Sequence, residues 1–220
     1  MATWIVHFRI AEKFLDRMSK KAGDDFLIGS VAPDCGWGKK DSFSGFVPPA
    51  RITHWTKSGQ KNEINVQEFC EAYINKDEMW GKGAFYTGYL VHLLTDIFWG
   101  QNVCVPTRLK YKKEYAKNPE FLLEIKKDWN ALDFEFLKDN PGFSAYKRFC
   151  DIDEIGDFLP YFEKGQLKTQ CGYIKNYYEN PAEYEMPGRY LTKERQAAIV
   201  EIIYNAVADF MTASGYMEGI

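Results

Sequence analysis

From Gly81 to Trp99 the chain reads Gly-Lys-Gly-Ala-Phe-Tyr-Thr-Gly-Tyr-Leu-Val-His-Leu-Leu-Thr-Asp-Ile-Phe-Trp, a run that is apolar on nearly every side of a helix. Such a helix belongs at the centre of a helical protein, surrounded by partners. Its almost uncharged part, Gly83 to Val91, falls short of the ~20 residues that a membrane span requires. Gly83 and Gly88 predict close backbone approach by neighbouring helices. The run also contains Asp96, and a carboxylate in an apolar core is costly unless it is paired or coordinates a metal. No Lys or Arg occurs between Gly83 and Arg108, so a local salt bridge is not on offer, although Arg9 or Arg51 could supply a distant one.

The rest of the chain reads as further helices. Thr3 is placed to cap a first helix whose His7, Ile10, Ala11, Phe14, Leu15 and Met18 recur at helical spacing, with an expected end at Ala22-Gly23. Pro33 stops the following apolar segment and leaves Asp34 on a loop. Gly36 to Pro49 has no helical period and predicts a surface loop leading to His54. Asn65 predicts a cap for a helix through Ile74, Pro106 to Leu137 an amphipathic helix interrupted at Asn118-Pro119, Ser144 to Cys150 a short helix, and Leu191-Thr192 the start of the last one. No segment alternates with period two for long enough to demand a sheet, so the fold class is all-α, a multi-helix bundle. At 220 residues and 45% apolar, a single domain spanning 1–220 is expected, with an irregular acidic excursion near 151–190.

Charge and cysteines narrow the classes. A net charge of −3 argues against a protein that coats nucleic acid. Cys35, Cys70, Cys104, Cys150 and Cys171 are odd in number and never spaced as C-x-x-C, which predicts small buried hydrophobes in a reducing compartment. The first ten residues carry no basic region before an apolar run, and His7 and Arg9 break that run, so a cytoplasmic protein without a signal peptide is expected.

The chemistry rests on three histidines. His92 and Asp96 stand four apart on one helical face, a spacing that lets both reach one metal ion. Asp34 and His54 follow loops and could close a site that the helical pair opens, giving Asp34, His54, His92 and Asp96 around one divalent cation. That nitrogen and oxygen set suits zinc, and iron, manganese or nickel would accept it. Two plainer readings stand beside it: His7 as a hydrogen-bonded core residue, and His92 with Asp96 as an intrahelical hydrogen bond.

The ordered motifs Trp4-Ile-Val-His7, Phe26-Leu-Ile-Gly-Ser-Val-Ala-Pro-Asp34, Thr53-His54-Trp55 and Gly88-Tyr-Leu-Val-His92-Leu-Leu-Thr-Asp96 use every histidine in the chain. This arrangement resembles the zinc-dependent phospholipase C family, whose fold is similar to that of the single-strand-specific zinc nucleases. The resemblance implies that Asp34, His54, His92 and Asp96 bind one zinc, that His7 binds a second bridged to the first by Asp96, and that the substrate is a small-molecule or lipid phosphoester. It implies hydrolysis by metal-activated water, with Asp34 as a ligand or as the general base.

In that family an N-terminal Trp gives its amine and carbonyl to the second metal, whereas Trp4 here is preceded by three residues. A third zinc in the family uses histidines downstream of His-x-x-x-Asp, and none follows His92, so one or two ions are expected. An HD-type nucleotide phosphohydrolase is the alternative enzyme, but it requires adjacent His-Asp, which is absent. A non-catalytic module pinned by a closed metal site is the alternative outside enzymes. Arg108 to Lys127 carries a net +4 and reads either as an attractor of anionic substrate or as a solvated helix face.

Overall fold

A computed structural model describes residues 2–38, 45–59, 63–118, 120–180 and 188–217. The chain is all-α, with one minimal hairpin among the described residues. Helix α1 spans Trp4–Glu12 and is followed by a tight turn at Leu15–Arg17. It therefore ends well before the expected Ala22-Gly23. The reason is Ser19, whose hydroxyl accepts from the Ala22 N–H at 3.3 Å and starts a second helix, α2 (Lys20–Gly29). Residues Ala32–Asp34 form one more tight turn around Pro33.

Gly36 to Pro49 is not wholly a loop. Its described residues pair as two short antiparallel strands, β1 (Trp37–Gly38) and β2 (Phe46–Val47), with Trp37 opposite Val47. Helix α3 (Ala50–Thr53) then delivers His54, and α4 (Val66–Tyr73) begins where the Asn65 side chain accepts from the Glu68 N–H.

The apolar run becomes α5 (Ala84–Trp99), fully covered along most of its length. It crosses α2 at main-chain contact. A Cβ on Gly88 would stand 2.1 Å from the Phe26 carbonyl oxygen, and one on Gly29 would stand 2.0 Å from that of Phe85. Only paired glycines permit this crossing. Gly83 plays no part in it, because a Cβ there would meet its own preceding loop at Glu78. Phe85, Tyr89, Leu90 and Leu93 are buried on the other faces of α5, each contributing roughly 1.5–3 kcal/mol relative to exposure.

After a wide turn at Gly100–Cys104 come α6 (Val105–Lys110), α7 (Lys112–Lys117), α8 (Phe121–Asp139) and α9 (Ser144–Cys150). The expected amphipathic helix from Pro106 is broken at Tyr111 as well as near Asn118, and Pro119 lies outside the described residues. Helix α10 (Gln166–Glu179) occupies much of the segment read as an irregular excursion. Its buried Leu167, Cys171, Ile174 and Tyr178 form a helical stripe that the acidic, tyrosine-rich composition concealed. Helix α11 (Lys193–Ala213) starts at Thr192, whose hydroxyl accepts from the Arg195 N–H. All five cysteines are free thiols. Among the described residues, no helix is long and apolar enough to cross a membrane.

Candidate metal centre

Four elements converge beside the crossing of α2 and α5. Helix α1 supplies His7, the turn after α2 supplies Asp34, the end of α3 supplies His54, and α5 supplies His92 and Asp96. The structure brings all five together. His54 Nε2 lies 3.2 Å from Asp34 Oδ1 and 3.5 Å from Asp96 Oδ2. His92 Nε2 lies 3.7 Å from Asp96 Oδ2 and 4.0 Å from Asp34 Oδ1. On the other side, His7 Nε2 lies 3.7 Å from Asp96 Oδ1. The two oxygens of Asp96 thus face different imidazoles. His7, His54, His92 and Asp96 are each no more than 2% exposed.

The protonation pattern follows from the surrounding main chain. His92 Nδ1 lies 2.8 Å from the Ser30 carbonyl oxygen, which can only accept, so Nδ1 carries the proton and donates. A neutral ring then turns the Nε2 lone pair toward the carboxylates. Burial favours the neutral ring, pushing the His92 pKa well below the usual histidine range, and the neighbouring His7 adds to that, against the pull of Asp34 and Asp96. His7 and His92 stack with ring centroids 3.7 Å apart and planes 4° from parallel, a contact that suits neutral rings. His54 Nδ1 is held by the Thr53 hydroxyl at 2.9 Å, which likewise leaves Nε2 facing the carboxylates. Neither His54 Nε2 nor His92 Nε2 has a hydrogen-bond partner among the described residues, although both are buried.

Buried lone pairs pointed at carboxylates repel unless a cation lies between them. Two donors on one tetrahedral zinc with ~2.0–2.2 Å bonds stand about 3.3–3.6 Å apart, which the observed 3.2–4.0 Å spacings approach. His7, His92 and Asp96 form one trio, and Asp34, His54 and His92 a second, each with ligand atoms within 4.8 Å of one another. The donor set therefore fits zinc. Neither of the two arginines suggested by the sequence lies on Asp96. Arg9 donates to Gln196 Oε1 at 2.9 Å and stacks on Phe136, and Arg51 is exposed on α3.

Three features of the site were not foreseen from sequence. The Ala2 N–H donates to Asp96 Oδ1 at 2.9 Å, so the main chain just ahead of α1 reaches the cluster, whereas the Trp4 ring packs edge-on against Tyr173, Tyr177 and Tyr178. The residue that orients His92 contributes only a carbonyl, to which side-chain chemistry gives no clue. A cleft of about 510 Å³ opens at Asp34, walled by Trp4, Phe46, Trp129 and Tyr173, with Lys126 as the cation among the described residues of its lining. Lys126 lies in the basic stretch noted in the sequence, but Tyr173 lies in the segment read as irregular.

No curated protein and no solved structure matches this chain. Residues 6–99, which hold all three histidines together with Asp34 and Asp96, match the model of the zinc dependent phospholipase C family, the family that the four motifs resemble.

Proposed function

We propose that this protein is a metal-dependent phosphoester hydrolase of the phospholipase C type. Asp34, His54, His92 and Asp96 would hold one zinc, and His7 with the second oxygen of Asp96 would hold another. The observation that carries this reading is the pair of buried imidazole Nε2 atoms aimed at two carboxylates beneath a cleft. When bound, zinc stabilises charge on a phosphoryl oxygen and lowers the pKa of its water from 15.7 to about 7.

The protein's own groups do the rest. The Ser30 carbonyl and the Thr53 hydroxyl fix the orientation of His92 and His54, a kind of support worth 10–100-fold in metal affinity elsewhere. Asp34 lines the cleft and sits on the cluster at once, so its carboxylate is the group positioned to take a proton from attacking water. Lys126, half-buried in the cleft wall and without an ion-pair partner among the described residues, offers positive charge to the phosphoester.

The same cleft weighs against a purely structural metal site, since structural sites are closed by protein on all sides. Elemental analysis of purified protein should find one or two equivalents of zinc or another transition metal. Metal-loaded protein should hydrolyse at least one of bis-p-nitrophenyl phosphate, phosphocholine esters or single-stranded nucleic acid. Bound metal with no turnover across all three would favour the non-catalytic module, and metal-free protein of undiminished stability would remove the metal altogether.

A further inference from the structure

We propose that the face formed by α6, α7 and the first turns of α8 docks on an anionic lipid bilayer and presents the mouth of the Asp34 cleft to it. Large apolar side chains at the surface are scarce in this protein and unevenly placed. Of the eight that are exposed among the described residues, four fall between positions 105 and 123: Val105 (55% exposed), Leu109 (70%), Leu122 (41%) and Leu123 (55%). The overlapping run from Arg108 to Lys127 carries a net +4. Arg108, Lys110, Lys112, Lys113 and Lys117 are all exposed, and none has an ion-pair partner among the described residues. Of the three acids in the stretch, Glu114 and Glu120 remain exposed, and Glu124 is taken by Arg189 at 3.0 Å.

The three helices are packed against one another rather than scattered. Tyr111, between α6 and α7, packs on Phe121 at the start of α8 with ring centroids 5.8 Å apart, and Tyr115 of α7 packs on the same ring at 5.1 Å. Helical spacing then ties this face to the cleft. Leu122, Lys126 and Asn130 follow one another at four-residue steps on one side of α8, and the latter two line the cleft. An exposed leucine therefore stands one turn from the cleft wall.

Exposed aliphatics amid unpaired cations match the layered chemistry of a bilayer surface, with phosphate and carboxylate outside and hydrocarbon a few ångströms below. A nucleic acid would use the cations but has no need of Leu109 or Leu123. The docking itself is independent of metal chemistry; that the bilayer also supplies the substrate rests on the phosphoester reading.

Vesicle cosedimentation separates these claims, using phosphatidylcholine vesicles with and without phosphatidylserine. The protein should pellet with the mixed vesicles, less so at high salt, and hardly with phosphatidylcholine alone. Lys112→Gln with Lys113→Gln should weaken binding roughly tenfold or more. Leu109→Ser with Leu123→Ser should do the same by withdrawing apolar area. All four positions are exposed, so circular dichroism and hydrolysis of soluble bis-p-nitrophenyl phosphate should be unchanged in these variants. Failure to pellet, or pelleting indifferent to the leucine pair, overturns the proposal. So does retention on single-stranded DNA that depends on the lysines alone. Vesicle binding by a protein that hydrolyses nothing would leave the docking intact and sink the phosphoester reading instead.

Discussion

Buried aspartates in the two halves of this molecule are surrounded by opposite kinds of atom. In the second half, Asp128 accepts four main-chain N–H groups, from Gly188 and Arg189 on one oxygen and from Tyr190 and Leu191 on the other, at 2.8–3.2 Å. Asp133 accepts the Thr3 hydroxyl at 2.6 Å and the Tyr178 hydroxyl at 2.7 Å. Asp96, on α5, accepts one N–H from Ala2, and its two oxygens lie 3.5–3.7 Å from the Nε2 atoms of three imidazoles, one of them fixed as a lone pair. The first two carboxylates hold parts of the chain together with donors the chain itself provides. The imidazole lone pair turned toward Asp96 calls for a cation between the two, and on the proposed reading that contrast separates a structural carboxylate from a ligating one.

The contrast can be broken most directly at its metal-facing side. His92→Ala and Asp96→Ala should each abolish metal retention, read by elemental analysis, together with any phosphoesterase activity; undiminished metal in either variant would erase the distinction. Asp128→Ala should have a large effect of another kind. Four N–H groups lose their acceptor, so chemical denaturation should show a loss of roughly 3 kcal/mol or more, while metal per folded molecule stays the same. Thr53→Val should lower metal affinity 10–100-fold in a competition titration with little change in stability, since it removes only the hydroxyl that orients His54.

Asp133 provides the smallest and sharpest test. Burial, opposed by the Thr3 and Tyr178 hydroxyls and by Arg9, raises its pKa to about 7. The folded carboxyl therefore keeps a proton that the unfolded one releases in the ordinary carboxylate range. Stability relative to Asp133→Asn should decline as pH rises from that range to about 7 and level off above it. Thermal midpoints of the two proteins that run parallel across this window would show that the carboxyl is not held in this way.

How much of this was legible in the sequence varies with the kind of signal. The all-α class, the caps at Asn65 and Thr192 and the central helix were readable because periodicity and capping side chains are local. The first helix is shorter than its sequence predicts because the apolar stripe continues through the turn at Leu15–Arg17, and only the Ser19 hydroxyl marks the new start. Helix α10 was hidden by composition, and with it Tyr173 of the cleft. At the site, five side chains could be named because their chemistry is written in their identity. The Ser30 carbonyl and the Ala2 amide could not, because every residue carries those groups and only the fold decides where they point.

The glycine pair at the crossing of α2 and α5 links architecture to chemistry. Position 88 touches the Phe26 carbonyl and the Ser30 nitrogen on one flank, and four residues further along the same helix His92 grips the Ser30 oxygen. A methyl group at 88 would pry the two rods apart at their fulcrum and slide that oxygen off the ring it steadies. Resistance to unfolding and grip on the proposed ion are thus geared together, and neither can be retuned here without turning the other.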